Sequence, residues 1–328
     1  MRKACIYINY NNIVVLQDYL DVVKRSLENI GFTCEYVKEL AGVHRDTLVV
    51  YPMAIDAFKY YLKGYCNFAI WQQGATADES YLRNKSSLRF NILNSIDVFC
   101  MKRAKFILYV SDFMKCHYES LAKRDFSSKS YVMPCFNESL DSRVFIDKDY
   151  SRRVFTYVGS LDLWQCFEET AEIYARIEHQ VKNTYFKVLT FQEELAKDII
   201  RQKKIKNYEV KQVPKNQVKK ELQDCTYGFI IRKDNMVNRV ATPTKISSYL
   251  AAGVIPIYSD CLIDFASVSK DYDCAYCINN GKIEELIEYV LAVHDKDKIQ
   301  NEIEFLFDTY YSKTKHEKSL TELLGRVL

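Results

Sequence analysis

The sequence predicts an α/β protein of two units, each a mostly parallel sheet covered by helices on both faces. Three observations carry this. Short apolar runs alternate with helix-length amphipathic segments through both halves of the chain. That alternation breaks once, over 137–153 (NESLDSRVFIDKDYSRR), which is polar, charged and without a clear period. A length of 328 residues suits two domains of ordinary size. The expected division is therefore 1–150 and 151–305, with a final helix at about 306–328.

In the first half, strands are expected over 5–10, 32–37, 47–51, 67–71, 106–111 and 130–134. Helices are expected over 13–30, with Gly31 as its stop, and over 54–63, 85–105 and 112–124. Ser111 or Asp112 caps the last of these. The second half restarts with a strand at 154–158, followed by a helix at 166–181, a strand at 185–190 and a helix at 192–203. Next come a strand at 208–213, a short helix at 216–223 and a strand at 227–232. After a loop and the stretch treated below, a strand at 274–278 and a helix at 283–294 follow. The tail from 297 reads as one or two helices with a Lys/Glu-rich outer face.

Composition removes several classes. Hydrophobic residues make up 48% and charged residues 27%, the balance of a chain with a full core. No apolar run is long enough to span a bilayer. The opening MRKACIYINY runs straight into a strand-like segment, which does not read as a signal peptide. A formal charge of +3 is too small to argue for nucleic acid. The nine glycines include no G-x-G and no phosphate-loop spacing, which excludes a dinucleotide fingerprint and a P-loop. Eleven cysteines without regular spacing read as reduced, mostly buried small hydrophobes. The single C-x-x-C, Cys274–Cys277, lacks a second pair for zinc and is read as strand. Asp271-Tyr272-Asp273 is too short a motif to argue for a metal, and no two histidines stand at ligand spacing.

In open parallel sheets, ligands bind at the carboxyl ends of strands, and the residues just after each strand carry the functional signal. Gln73 and Gly74 follow one strand, with Asp78 and Glu79 close behind. Those carboxylates either accept hydrogen bonds from sugar hydroxyls or simply favour the start of the next helix. Gly159 and Ser160 follow the first strand of the second half, and the glycine permits close approach of a ligand or helix. Trp164 reads as core. Arg232 ends another strand and offers a donor fork suited to phosphate, or to a salt bridge between domains. His117 reads as a structural histidine. From Arg83 to Lys129 there are ten basic residues against four acidic ones. This is either a set of solvated helix faces or a patch that attracts an anionic acceptor or membrane surface. The basic run 201–220 has the same two readings.

The stretch 230–260 reads as strand end, loop, short helix, glycine stop and strand. Thr242 suits a helix N-cap and Pro243 the first helical position. The helix is expected over 243–252, with Gly253 ending it before a strand at 254–258. Lys245 falls in the first turn, where a cation is poorly placed for the helix dipole. The placement makes sense where an anion binds that end, since backbone N–H groups, the dipole and the ammonium would converge on it. The alternative is a surface lysine on an ordinary helix.

This stretch resembles the C-terminal signature of GT-B glycosyltransferases, especially family 4-like enzymes of bacterial capsular and surface polysaccharide synthesis. The matching residues are Arg232 and Asn238-Arg239-Val240-Ala241-Thr242-Pro243-Thr244-Lys245, continuing through Tyr249-Leu250-Ala251, Gly253 and Pro256. TYVGSLDLW (156–164) is similar to the opening strand of that family's nucleotide-binding domain, and WQQGATADES (71–80) to its acceptor-side segment. The resemblance implies two Rossmann-like domains facing a cleft. It implies a nucleotide-diphosphate sugar as co-substrate, with no other cofactor and no metal, and retaining glycosyl transfer to a glycan or lipid-linked acceptor. It places the protein in the cytoplasm, with peripheral contact at the inner face of the membrane and no nucleic-acid partner. Arg232 and Lys245 would stabilise the leaving diphosphate. Gly159, Ser160, Val213, Thr242, Pro243, Thr244 and Ser248 would line the donor site, with the base near 210–214. Gln73, Gly74, Asp78 and Glu79 would face the acceptor. The final helix would pack back on the first domain. The family's glutamate pair maps to Val240 and Ser248, and the arginine and lysine that many members carry after the first strand of this domain are absent, with Ser160 and Gln165 nearby. A catalytically silent sugar-nucleotide or glycan-binding protein of the same fold is the alternative.

Overall fold

The computed structural model describes residues 2–8, 17–279 and 282–328. Chain contacts divide it into two compact units. One comprises the residues up to Asn137 together with Arg239–Thr242 and Ser312–Leu328; the other comprises Glu138–Asn238 and Pro243–Tyr311.

The first unit is built from β1 (Arg2–Tyr7), α1 (Gln17–Asn29), β2 (Phe32–Val37), β3 (Leu48–Tyr51), α2 (Ala54–Tyr61), β4 (Phe68–Gln72), α3 (Thr76–Asn84), α4 (Ser87–Arg103), β5 (Ile107–Tyr109), α5 (Asp112–Ala122) and β6 (Ser130–Val132). Its six strands pair in the order β2-β1-β3-β4-β5-β6, all parallel. Strands β3, β4 and β5 are buried along their whole length, which is why they read as continuous apolar runs and not as alternating ones. The expected strand over 5–10 begins earlier, at Arg2, and its positions 9–10 lie outside the described residues. So do positions 13–16 of the helix expected over 13–30.

The helix expected over 85–105 is found as α4, and a further helix, α3, precedes it over Thr76–Asn84. Lys85 takes the left-handed conformation that ends α3, and the Ser86 hydroxyl then accepts from Arg89 N to start α4. Helix α3 was illegible because only Ala77 and Ser80 are buried on it, too few to show a period. The Ser111 cap on α5 is found, its hydroxyl accepting from Met114 N at 2.9 Å.

The second unit contains β7 (Arg153–Val158), α6 (Phe167–Gln180), β8 (Thr184–Leu189), α7 (Glu193–Gln202), β9 (Tyr208–Lys211), α8 (Lys215–Glu221), β10 (Tyr227–Ile230), α9 (Met236–Arg239), α10 (Thr244–Ala251), β11 (Ile255–Ser259), α11 (Ile263–Ser269), β12 (Tyr276–Ile278), α12 (Ile283–Leu291) and α13 (Lys296–Asp308). The strand order is β12-β11-β10-β7-β8-β9, again all parallel. Helices α9 and α11 were not anticipated, being short and poor in helix formers. An aromatic cluster fills the core. Phe155 stacks on Tyr227 at 4.9 Å between centroids, and Tyr174 stacks on Phe186 at 4.6 Å. Each such fully buried ring contributes about 1.5–3 kcal/mol through burial.

The division falls after Asn137, ahead of the 150/151 boundary expected from composition. The intervening segment is tied to the second unit by polar anchors. The Lys148 ammonium donates to the carbonyls of Cys225 at 2.6 Å and Ala252 at 2.9 Å, and burial pulls its pKa down to about 8. Tyr150 donates to the Gly253 carbonyl at 3.0 Å. The last helix, α14 (Lys313–Val327), belongs to the first unit and packs on α1. It buries His316, Leu320, Leu323 and Leu324, and the His316 ring shares a 2.8 Å hydrogen bond with the Tyr131 hydroxyl.

Candidate functional site

The chain winds one way from β7 to β9, then restarts on the other side of β7 with β10. Between β7 and β10, therefore, the sheet has a switch point, where the outgoing loops separate and leave a crevice. Gly159 leaves β7 there and Arg232 follows β10. Lys245 comes from the first turn of α10.

These three residues meet. Arg232 is buried, and its Nη1 donates to the backbone carbonyls of Ile231 at 2.8 Å and Gln165 at 3.0 Å. Its Nη2 donates to Gln165 Oε1 at 2.6 Å. Lys245 Nζ donates to the same Oε1, also at 2.6 Å, and sits 4.5 Å from the centre of the Tyr157 ring. The lysine passes directly over Gly159. A Cβ there would lie 2.7 Å from Lys245 Cε, and the φ of +125° independently demands glycine. Tyr249 supports the floor by accepting from Val158 N at 3.1 Å.

The electrostatics are unusual. Burial, then the neighbouring Arg232 charge, hold Lys245 well below its ordinary pKa, while Asp162 opposes this in part. Burial also lowers Arg232. Among the described residues no carboxylate forms an ion pair with either cation. Two basic side chains thus converge on one neutral oxygen, that of the Gln165 amide.

The other residues named from sequence distribute unevenly. Ser160 lies beside Gly159, but its hydroxyl donates to Asp162 Oδ2 at 2.8 Å. Val213 follows β9, at the sheet edge two strands from β7. Pro243 and Thr244 start α10, with Pro243 at the cap position and no side-chain cap hydrogen bond. Thr242 is therefore not the helix cap. It belongs to the first unit, where its hydroxyl accepts from Cys135 N at 3.0 Å and donates to the Val110 carbonyl at 3.2 Å. Ser248 donates to the Thr244 carbonyl at 3.3 Å. Sequence reasoning missed the central roles of Gln165 and Tyr157. A tyrosine within a strand reads as core, and a glutamine in a single turn of 3-10 helix carries no periodic signal.

The first unit has its own switch point, between β1 and β3. A pocket of about 360 Å³ opens there, lined in part by Tyr7, Met53, Trp71, Gln73, Gly74 and Glu79. Gln73 donates to the Pro52 carbonyl at 3.1 Å, and the Glu79 carboxylate packs against Gly74. Asp78 does not line this pocket; burial raises its pKa and the nearby His117 opposes that. The Nε2 of His117 is buried without a hydrogen-bond partner among the described residues. Beneath the pocket, the Tyr118 hydroxyl connects Gln72 Nε2 (2.7 Å), Asp97 Oδ2 (3.2 Å) and the Gly74 carbonyl (3.3 Å). Asp97 is buried, which raises its pKa to about 7.

Elsewhere the weaker sequence signals have ordinary explanations. Cys274 is a buried free thiol, Cys277 lies in β12, and Asp273 pairs with Lys298 at 2.8 Å. Among the described residues no cluster suits a metal ion, and no helix is long and apolar enough to cross a membrane.

No family model and no curated protein matches the sequence. Solved structures match its fold. Anabaena HepE, solved with UDP and glucose, superposes with a TM-score of 0.68 at 8% identity, covering 99% of both chains. A glycosyltransferase from Rickettsia africae superposes at 0.66 with 11% identity, covering 98% of both. S. aureus TarM, solved as a mutant with fondaparinux, α-GlcNAc-glycerol and UDP, gives 0.63 at 9% identity over 84% of this chain. This chain spans only 55% of the TarM chain, about half its length. With two Rossmann-like units of six parallel strands each, the chain has the GT-B fold of these structures.

Proposed function

We propose that this protein is a cytoplasmic glycosyltransferase. It takes a sugar from a nucleotide-diphosphate donor and delivers it to a glycan or lipid-linked acceptor in surface polysaccharide synthesis. The observation that carries this reading is the convergence of Arg232 and Lys245 on one point at the β7/β10 switch. Two cations and the N-terminus of α10 suit a diphosphate, whose negative charge grows as the sugar departs. Fixed cations here do the work a divalent metal does elsewhere, and the reading is accordingly a metal-independent one. Gly159 lets Lys245 cross the strand end at close range. Val213, Pro243, Thr244 and Ser248 are proposed as the remaining donor contacts, and retention of anomeric configuration as the stereochemical course.

The acceptor is proposed to enter the pocket bounded by Gln73, Gly74 and Glu79, where aromatic rings beside a carboxylate suit a sugar face and its hydroxyls. Peripheral contact with an anionic membrane is proposed for the outer face of α4. Leu88 and Ile92 are 72% and 51% exposed there, beside the exposed Arg89. Sedimentation with vesicles containing anionic lipid is expected to carry the protein down, and R89E to reduce that.

The activity test is release of nucleoside diphosphate from UDP-, GDP- and TDP-sugars. R232A and K245A are each expected to lower turnover about 100-fold. The presence of Val240 and Ser248 in place of a carboxylate pair favours one other reading, a silent binder of the same ligands. Tight binding of one donor with no release from any would select it.

A further inference from the structure

The cations of the proposed phosphate site are held in place by a residue that fits neither of two ordinary roles. Gln165 is no counter-ion, because it is neutral. Nor is it a simple packing residue, because its Oε1 accepts 2.6 Å hydrogen bonds from both Arg232 Nη2 and Lys245 Nζ. Its backbone carbonyl takes a third bond, from Arg232 Nη1 at 3.0 Å. The side chain comes from a single turn of 3-10 helix, Leu163–Gln165, that ends on Cys166 in the left-handed conformation at φ +51°. The Cys166 thiol and Phe167 that follow this turn are buried, while the Gln165 side chain is only half-buried.

The amide oxygen thus stands at the one point both cations address. It supplies a dipole where the convergent charge calls for a full negative charge. An oxygen anion at that point would take the same Arg232 Nη2 and Lys245 Nζ donors that Oε1 now holds. We infer that Gln165 is a placeholder: it keeps Arg232 and Lys245 aimed at a common point, and its side chain swings aside when a phosphate oxygen takes that point. This rests on the phosphate reading above and goes one step further. It makes residue 165 a positioning residue that sets the occupancy and charge selectivity of the site. A neutral placeholder yields to a dianionic group, whereas a charged one does not.

The test uses the full chain with inorganic pyrophosphate and UDP as probes, and two near-isosteric variants, Q165E and Q165M. Q165E fixes a carboxylate between the cations. It is expected to raise the melting temperature of the ligand-free protein and to weaken both probes at least about 30-fold in calorimetric titration. Q165M removes the acceptor without adding charge. It is expected to lower the ligand-free melting temperature, to keep both affinities within about threefold of wild type, and to give the largest ligand-induced shift in melting temperature. A purely structural role would move the two variants together. Wild-type affinity in Q165E, or equal losses of affinity in Q165E and Q165M, overturns the inference while leaving the phosphate site intact. A wild-type protein that binds neither probe overturns the phosphate reading, and this inference with it.

Discussion

Lys245 shows how position alone changes what a residue does. A lysine in the first turn of a helix is electrostatically misplaced, and burial beside Arg232 depresses its pKa further. Binding of an anion reverses that depression, because it favours the charged form. Anion binding at alkaline pH is therefore expected to take up a proton. Titrating pyrophosphate in buffers of different ionisation enthalpy checks this, and K245M should abolish the proton uptake. Asp97 is the complementary case on the other unit. Its folded pKa, about 7, lies above the ordinary value of 3.8, so the folded state holds the proton more tightly between those limits. Stability from this group is full below the ordinary carboxylate range and is lost as pH rises to about 7. D97N, whose amide oxygen still accepts from Tyr118, is expected to flatten that slope. It should be more stable than wild type at pH 8 by about 1–3 kcal/mol, and level with it at pH 4, in urea unfolding. The charge of Asp97 was visible in the sequence as one more acidic residue in a basic run. Its burial was not, because helix α4 carries apolar residues on both its buried and its exposed faces.

At the scale of elements, two glycines set how closely α10 approaches the sheet. Gly228 lies in β10 under the Tyr249 ring, and a Cβ there would meet the ring at 2.5 Å. G228A is expected to cost about 1–3 kcal/mol through overpacking, measured by thermal or denaturant unfolding. G159A meets the flexible end of Lys245 instead, at 2.7 Å, with an added penalty from its positive φ. It is expected to cost about 1–3 kcal/mol of stability and to weaken pyrophosphate binding as well, because the lysine must move. The contrast between the two variants separates a packing glycine from one that positions a charge. Alternation of apolar runs made most strands of both sheets legible, since a strand buried on both faces has few other ways to read. Short or weakly amphipathic helices, α3, α9 and α11, escaped because four to nine residues with few buried positions leave no period to detect.

At the scale of the whole molecule, chain order and unit membership part company. Residues 239–242 interrupt the sequence of the second unit and residues 312–328 follow it, yet both stretches belong to the first unit. The α14 side chains His316, Leu320, Leu323 and Leu324 are buried, and the helix lies along α1. A chain ending at 311 is expected to expose that face of α1 and destabilise the first unit by more than about 3 kcal/mol, while the second unit keeps its core. Hydrogen exchange resolved along the sequence checks this, with protection lost over 17–29 and retained over 153–230.

The sequence by itself determined the architecture and the two cations. Alternating strands and helices at these lengths admit few folds other than parallel sheets, and an arginine at a strand end with a lysine in a helix first turn are legible from local chemistry. Tertiary structure alone decided what those cations face. That Arg232 and Lys245 share Gln165 Oε1 depends on a strand order that brings the ends of β7 and β10 together, with residues separated by 67 and 80 positions meeting at one atom. Local periodicity contains no information about such a meeting. It arises from how the sheet reverses at β7, and that reversal is set by packing across the whole unit.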